Sequence, residues 1–486
     1  LGAALADCAP AAVLTSREAA ERVRAHVALH LGPGGPPVET VGHVPVAAAA
    51  GGWEPLVPSP DAVACLQYSS GSTRAPTGVT LTHRALAASA RQAADAFAAP
   101  GGGFTAVSWL PLFHGMGLVL GVAAPVLSGA SSVLMAPDAF LRRPVRWLRL
   151  LALHPYAVSA APDFAYGLAA ARVPEGERRE LRLERVARLV DGGEPVRPET
   201  LRNFQRAFGP CGLPPEALCP AYGLSEATAL VTAVPRGTPP TSLRADRAEL
   251  ARGRLVPARA RCREVSALSG CGVPVGQSVA VADPLSGIRL EPGRVGEVWV
   301  RGPNVARGYW GRADRTAETF GARLLGADGT PLEGAWLRTG DLGAFHGGEL
   351  FLTGRRQDLI IVDGRNHYPQ DIERTVQDAH PAVRRHHLAA FSVPYGTSEE
   401  VVVVAEHRRD RSGRRTEGPA PEELDPEAVA RAARESVALE HGVRLADFAL
   451  VPPGAVPRTT GGGISRTACR ERYLSGELPR HEGSRT

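Results

Sequence analysis

The sequence predicts an α/β protein: a large α/β domain on a mainly parallel sheet, followed by a small α+β domain. Short apolar segments alternate with helical patterns from residue 61 to about residue 231, which is typical of βαβ units. Residues 272–305 instead carry closely spaced strand and turn signals, which predict a small antiparallel, β-rich unit. A change of pattern near residue 358 separates a large domain, residues 1–357, from a small domain, residues 358–486.

The predicted elements of the large domain follow from local patterns of apolar residues. A strand and a helix are predicted within residues 13–31, and further strands at 106–110, 131–135, 157–159 and 189–190. Residues 115–137 carry no charge, but Pro125 and scattered Gly and Ser favour a buried helix followed by a core strand over a membrane span. Residues 235–268 are rich in Arg and Pro and predict an inserted segment with a short helix near residues 246–252.

The elements around the domain boundary and beyond it are predicted in the same way. Residues 343–362 indicate a hairpin that leads into a strand. The small domain then has a helix after Pro369, a strand at 401–406, a charged linker at 407–425 and a helix from Pro426.

Residues 66–83, which read LQYSSGSTRAPTGVTLTH, predict two strands joined by a loop of small hydroxyl residues. Such a loop presents several backbone N–H and hydroxyl donors to one point, which suits a polyphosphate. By itself a run of Ser, Gly and Thr is more often a solvated turn, so the assignment depends on the other segments.

Composition excludes several classes of function. The net charge of +5 is small for 486 residues, and no basic tract with interleaved aromatic residues suggests a nucleic-acid partner. The seven cysteines are scattered without a C-x-x-C pair, so no zinc site or disulfide framework is predicted, and a cytoplasmic location fits best. The chain contains no lysine, so no reaction step that needs a lysine ammonium group can be served by it, and arginine differs from lysine in shape and hydration.

Further motifs follow the hydroxyl-rich segment in a fixed order. They are SWLPLFHGMGL at 108–118, AAPDFAYG at 160–167, DGGEPVRPET at 191–200, AYGLSEAT at 221–228, WLRTGDLG at 336–343 and TGRRQDLIIVDGRNHYPQDIE at 353–373. Together they resemble the adenylate-forming superfamily, and most closely its fatty acyl-AMP ligase branch, of which GRNHYPQDIE is a strong marker. The resemblance covers nearly all of the chain and implies the adenylate-forming fold, with the small domain as a lid.

The resemblance implies that the chain activates a carboxylate with ATP and Mg²⁺. Attack on the α-phosphorus builds negative charge on phosphoryl oxygens, so positioning and electrostatics carry most of the catalysis. Glu226 would bind Mg²⁺, although a lone Glu is more often solvated or capping. The residues that would surround the phosphates are Ser69, Ser70, Gly71, Ser72 and Thr73.

The remaining site residues are also carried over from the family motifs. The adenine would lie between Tyr222 and a turn after residue 190, with Asp341 and Arg355 binding the ribose. The other implied nucleotide contacts are Gly192, Gly193, Glu194, Ala221, Gly223 and Ser225. Thr73, Glu226 and His114 are the candidate catalytic residues, His114 lining the acyl entry, and Gln357 and Asp358 would form the hinge between the domains.

The sequence departs from the family pattern at several positions. Gly463 stands where the family has a catalytic lysine, so adenylation is expected to be weaker, and the neighbouring Arg458 and Arg466 are poor geometric substitutes. Arg74 and Thr77 replace a Gly and a Lys that many relatives carry, and Gly115 replaces an Asp; Asp163 stands where the branch has Asn. The first part of the usual large domain, roughly a hundred residues, is expected to have no counterpart.

The leading functional hypothesis is a fatty acyl-AMP ligase. It would convert a medium- or long-chain carboxylate to acyl-AMP and load an acyl carrier protein, with residues 235–268 as the inserted segment that blocks use of free CoA. Two alternatives stay open: a catalytically impaired relative that binds nucleotide or acyl groups, and an enzyme that adenylates a non-fatty acid of a specialised pathway. Neither a nucleic-acid partner nor a membrane span is expected.

Overall fold

The computed structural model describes residues 2–32, 34–42, 56–69, 77–98, 103–262, 264–362, 364–395, 398–408, 425–459 and 463–480. Within these ranges the largest sheet has seven strands, of which five run parallel to one another. Its strands, in spatial order, are Val273–Pro274, Thr232–Ala233, Leu218–Tyr222, Val186–Asp191, Ala157–Ala161, Thr105–Ser108 and Ser131–Leu134. The alternating pattern of residues 61–231 therefore predicted a parallel sheet correctly.

Helices cover this sheet and bury large aromatic side chains against it. The side chains of Phe97, Trp147, Tyr166, Phe204 and Phe208 are all almost completely buried in the core that the helices share with the sheet. The α-helices up to this point in the chain are Gly2–Cys8, Ala20–Leu31, His83–Phe97, Gly115–Leu118, Ala124–Ser128, Pro137–Arg142, Val145–Leu153, Asp163–Arg172, Glu175–Arg179 and Pro198–Phe208. A π-helical turn, Val119–Ala123, and 3₁₀ turns at Arg17–Ala19, Gly209–Cys211, Pro215–Ala217 and Ser225–Ala227 complete the set.

One prediction for this region is wrong in part. The uncharged residues 115–137 do form helix followed by strand, but Ser131–Leu134 is an edge strand and not a core strand. It pairs only with Thr105–Ser108 in the described structure, and Leu134 is 52% exposed. The apolar composition of the segment does not distinguish an edge position from a central one. No described helix meets the length and hydropathy needed to cross a bilayer.

A β-rich part follows the parallel sheet. An antiparallel sheet consists of Ser278–Ala282, Gly296–Arg301, Leu337–His346 and Glu349–Arg355, which confirms the antiparallel unit and the hairpin predicted from sequence. Another sheet combines Gly308–Tyr309, Thr77–Thr82 and Val63–Ser69. Its last two strands flank the hydroxyl-rich loop, of which residues 70–76 lie outside the described structure. The helix Ala313–Phe320 packs beside Gly308–Tyr309.

The segment 235–268 is more regular than the sequence predicted. The short helix Arg247–Ala251 is present, and Asp246 caps it by accepting a hydrogen bond from the Glu249 N–H at 3.1 Å. The strands Ser242–Asp246 and Val265–Ser269, however, pair antiparallel on either side of it. Tyr368 of the small domain packs with Ala245 and Leu250 of this segment.

The small domain has its own core, which begins at Ile360. Its sheet contains Val383–Tyr395, Ser398–His407 and Leu445–Val451, and its α-helices are Pro369–Ala379, Pro426–His441 and Arg466–Leu474. A short pair, Ile360–Val362 and Arg365–His367, leads into it from the 3₁₀ turn Arg356–Asp358. The helices predicted after Pro369 and from Pro426 are thus confirmed, and most of the predicted linker, residues 409–424, lies outside the described structure. A pair of short parallel strands, Val13–Thr15 and Val38–Thr40, lies near the start of the chain.

Candidate active site

A cavity of about 460 Å³ brings together residues that are far apart in the sequence. It lies between the carboxyl ends of the parallel strands, the antiparallel sheet and the C-terminal segment around Ile464. The sequence-predicted residues that line it are His114, Gly192, Gly193, Ala221, Tyr222, Gly223, Ser225, Glu226, Asp341, Arg355, Gln357 and Asp358. Most of the expected nucleotide site therefore converges on one cavity.

Asp341 is the centre of the predicted ribose site. Tyr222 Oη donates to Asp341 Oδ2 at 2.7 Å, and Arg355 Nε donates to Asp341 Oδ1 at 3.1 Å. The neighbouring carboxylate raises the pKa of Arg355, so this guanidinium stays charged. Each carboxylate oxygen has two lone pairs, so Asp341 can still accept hydrogen bonds from two sugar hydroxyls.

Glu226 is held by residues that the motifs did not reveal. Tyr309 Oη donates to Glu226 Oε1 at 2.8 Å, while the described residues offer Oε2 no partner. Thr228, two residues on, is buried at a φ of 65°, which is strained for a β-branched residue. Its hydroxyl donates to the Asn304 carbonyl at 2.6 Å, and the Asn304 amide donates to two carbonyls of the same loop at 3.0 Å. The loop therefore fixes Glu226 with one oxygen free.

The environment of Glu226 fits a magnesium ion bound together with a polyphosphate. Mg²⁺ usually takes one or two protein carboxylates and completes its shell with water and phosphate oxygens. Among the described residues no group of three or more His, Cys, Asp or Glu could hold a metal without such help. Glu226, which lines the cavity and is held through one oxygen by Tyr309, suits this arrangement.

Glycines shape the floor of the cavity. A Cβ on Gly223 would lie only 1.6 Å from the Ala229 carbonyl oxygen, so the chain needs glycine there. Gly193 has a φ of 80°, which is left-handed backbone.

Glu194 differs from the prediction: it is not among the residues that line the cavity, and its Oε1 accepts a hydrogen bond from the Phe164 N–H at 2.7 Å. Burial raises the pKa of Glu194 to about 6.

His114 combines a structural contact with a place in the cavity wall. Its Nδ1 accepts a hydrogen bond from the Met116 N–H at 3.3 Å and so caps the short helix Gly115–Leu118. Burial lowers the pKa of His114, which favours the neutral ring with its proton on Nε2. Beside it, a Cβ on Gly115 would lie 2.9 Å from Gln67 Nε2, so the amide of Gln67 occupies the space next to this glycine.

The C-terminal motif reaches the same cavity. Thr459, Ile464, Ser465 and Arg466 line it, and a Cβ on Gly463 would lie 3.4 Å from Glu194 Oε2. Arg466 does not replace a lysine, because its guanidinium binds Glu373 at 2.7 and 2.8 Å and Asp358 at 3.2 Å. Arg458 is not among the lining residues and donates to the His386 carbonyl at 3.1 Å.

Two buried aspartates lie close to the glycine turn at 192–193, where the adenine is expected. Asp163 accepts hydrogen bonds from the Arg197 N–H at 2.9 Å and from the Thr200 hydroxyl at 3.0 Å. Asp191, at the end of its strand, is completely buried and neither of its carboxylate oxygens has a partner in the described structure. Burial, together with the charges of Asp163 and Glu194, raises the pKa of Asp191 well above its ordinary value.

Several residues expected at the phosphate site lie outside the described residues, and other residues of the cavity were not expected from the sequence. Ser70, Gly71, Ser72 and Thr73 lie in the undescribed loop, and Ser69 is described only as the end of a strand. Three further residues, Asn304, Tyr309 and Arg315, could not be predicted from the sequence; they lie on the β-rich part or on the helix that follows it. They carry no motif of their own, and only their contacts with Glu226, with its loop or with the cavity reveal them.

Comparisons with known proteins identify the family of this chain. Residues 1–310 match the family model of the AMP-binding enzymes. The chain is 39% identical over 510 residues to the long-chain-fatty-acid–AMP ligase FadD32 of Mycolicibacterium smegmatis, with 98% of this chain and 79% of that protein covered.

Solved structures are similar over nearly the whole chain. A chain from a study of fatty acyl-adenylate ligases of E. coli and L. pneumophila gives a TM-score of 0.83 at 30% identity, covering 98% of this chain and 82% of that one. The L. pneumophila fatty acyl-adenylate ligase in complex with acyl adenylate and pyrophosphate gives 0.68 at 30% identity, covering 99% and 80%. With this fold and this cavity, the chain belongs to the AMP-binding enzyme family and, within it, to the fatty acid–AMP ligases.

Proposed function

We propose that this protein activates a fatty acid with ATP, forming acyl-AMP and pyrophosphate, and then transfers the acyl group to the phosphopantetheine arm of an acyl carrier protein. The observation that carries the proposal is the convergence of Glu226, Asp341 and Arg355 on one cavity. Apolar side chains line the same cavity near His114, including Met116, Leu120 and Leu230, and suit an alkyl chain.

In the proposed reaction the residues of the chain act mainly by positioning. Asp341, fixed by Tyr222 and Arg355, would hold the ribose hydroxyls, and the glycine turn at 192–193 would let the adenine approach the backbone. Glu226 would hold the Mg²⁺ that neutralises charge on the polyphosphate. The carboxylate of the acid would then attack the α-phosphorus while pyrophosphate departs on the opposite side.

Transfer to a carrier protein, rather than to free CoA, is the second half of the proposal. It is supported by the fatty acid–AMP ligase relatives and by the inserted hairpin, which packs against the small domain. Gly463 provides no ammonium group for the α-phosphate, so we propose a slow first half-reaction.

The test is pyrophosphate exchange with a panel of fatty acids of increasing length, with acyl-AMP identified by mass spectrometry. We expect exchange with at least one medium- or long-chain acid and its loss, by about 10²-fold or more, in Asp341→Ala. Asp328→Ala, which removes an exposed carboxylate on a distant turn, is the matched control. Exchange that survives Asp341→Ala would contradict the assignment of the cavity.

Gly463 also favours a second candidate, a relative that binds nucleotide without adenylating an acid. Measurable ATP binding together with no exchange for any acid in the panel would support that candidate. Exchange with a non-fatty acid alone would instead point to an enzyme of a specialised pathway.

A further inference from the structure

The arginines of the cavity differ in how their charge is used. Those that line it are Arg315, Arg338, Arg355, Arg356 and Arg466. Arg338, Arg355 and Arg466 each form an ion pair with a carboxylate. Arg356 is exposed on the hinge turn, whereas Arg315 is half-buried and, within the described residues, forms no ion pair. Arg315 is therefore a guanidinium held in place by contacts, and no carboxylate of the described residues pairs with its charge.

Contacts fix Arg315 at the end of the cavity where the hydroxyl-rich loop begins and ends. Its guanidinium carbon lies 4.4 Å from the centre of the Tyr309 ring, and its Nη1 donates to Thr77 Oγ1 at 3.1 Å. Thr77 is the first described residue after the loop, and Tyr309 donates to Glu226. Nη1 is the only nitrogen of this guanidinium that donates to a described residue, so Nε and Nη2 are available as donors to a ligand.

We propose that Arg315 binds the β- and γ-phosphates of ATP and the pyrophosphate that leaves. The proposal rests on the proposed function and adds a residue to its phosphate site. A guanidinium with two free donor groups matches the bidentate geometry of phosphate oxygens. The undescribed loop residues 70–76 include no Asp or Glu, so they offer Arg315 no side-chain carboxylate, and the chain has no lysine to take this role.

The experiment compares ligands that do and do not carry the β- and γ-phosphates. Binding of ATP, pyrophosphate and AMP, with Mg²⁺ present, is measured by calorimetry for the wild type, Arg315→Ala and Arg315→Gln. The Gln variant keeps a donor for Thr77 if the smaller side chain disturbs the fold. Arg323→Ala is the matched control, because Arg323 is exposed just beyond the same helix and does not line the cavity.

We expect ATP and pyrophosphate to bind about 10- to 100-fold more weakly to both Arg315 variants, as for the loss of a charge-assisted hydrogen bond. AMP should bind as it does to the wild type, and Arg323→Ala should change nothing. Unchanged ATP affinity would overturn the proposal. So would an equal loss of ATP and AMP affinity, which would mean that the variants disturb the whole cavity. A loss of ATP affinity that disappears when Mg²⁺ is left out would also overturn it, because Arg315 would then act only through Tyr309 and Glu226.

The binding result is independent of catalysis. A wild type that binds ATP but shows no pyrophosphate exchange would contradict the proposed reaction. The role of Arg315 would still be tested by comparing ATP affinity with AMP affinity in its variants. A wild type that does not bind ATP would overturn both proposals.

Discussion

Gly463 is the residue whose side chain, or lack of one, most affects the proposed chemistry. A Cβ at this position would make ordinary contacts, 3.4 Å to Glu194 Oε2 and 3.5 Å to Thr459 Oγ1. Its φ is not in the left-handed region, so the backbone accepts an L-amino acid. The structure therefore accommodates a Cβ at the position where the family pattern has a lysine.

Introducing that lysine should restore a lost interaction. We expect Gly463→Lys to raise the rate of pyrophosphate exchange by about 10²-fold, since one preorganised cationic group at the reacting phosphate contributes about that much. Gly463→Met, which adds similar length without charge, is the control. Equal rates in the two variants would contradict the prediction and indicate that the new ammonium pairs with Glu194 instead.

Asp191 makes the stability of the protein depend on pH. Its raised pKa in the folded state means that the folded protein holds a proton that the unfolded chain releases near pH 4. Its favourable contribution is therefore complete below about pH 4 and is lost as the pH rises towards the folded-state pKa. Asn at this position keeps the shape without a titrating group.

We expect Asp191→Asn to have a higher Tm than the wild type at pH 8, with the difference smaller at pH 5 by on the order of 2 °C. Thermal unfolding measured from pH 5 to pH 9 checks this. Asp138→Asn, at an exposed helix position, should show no such dependence. The same difference in Tm at both pH values would argue against a buried neutral Asp191.

The end of a strand positions a key residue of the site. The strand Leu218–Tyr222 ends at Gly223, and the following turn presents Glu226 to the cavity. Thr228 has a positive φ in this turn. Asn304 holds it there, because its carbonyl accepts a hydrogen bond from the Thr228 hydroxyl and its side-chain amide donates to two carbonyls of the turn. A short motif thus encodes the turn, while a distant loop keeps it in its strained conformation.

Gly223→Ala tests how closely this turn is packed. The added methyl group would lie 1.6 Å from the Ala229 carbonyl oxygen, so the turn must move and displace Glu226. We expect exchange to fall by about 10²-fold or more and Mg²⁺-dependent ATP binding to weaken. Gly176→Ala is the control, because a Cβ there meets nothing within 4 Å. Full activity in Gly223→Ala would contradict the placement of this turn.

The hairpin of Ser242–Asp246 and Val265–Ser269 contacts the small domain. Arg247 Nη1 donates to the Glu440 carbonyl at 2.9 Å, and Arg374 Nη2 donates to the Val265 carbonyl at 2.9 Å. Ser266 donates to Asp371 across the same boundary. The bond from Arg374 is partly buried and the bond from Arg247 is exposed, so the first should contribute more, up to about 1.5–3 kcal/mol. The hairpin therefore ties the small domain to the large one.

Removing these arginines should loosen that connection. We expect Arg247→Ala combined with Arg374→Ala to speed amide hydrogen exchange in residues 242–269 by about tenfold or more, because local opening loses these bonds. Arg431→Ala, which removes an exposed charge from a small-domain helix, is the control. Unchanged exchange in the double variant would mean that apolar contacts around Tyr368 alone hold the hairpin.

Local patterns were sufficient to predict the alternating strands and helices of the parallel sheet, the antiparallel unit and the helices that follow Pro369 and Pro426, because periodicity is a property of neighbouring residues. The site residues were expected from the resemblance of the motifs to a known family, and the structure places Arg355 within 3.1 Å of Asp341. Tertiary packing alone decided the exposure of Ser131–Leu134 and the turn of Glu194 towards Phe164. It also brought Arg315 into hydrogen-bond contact with Thr77, which lies 238 positions earlier in the sequence. Such a contact cannot be predicted from the sequence, because no spacing rule encodes contacts between distant segments.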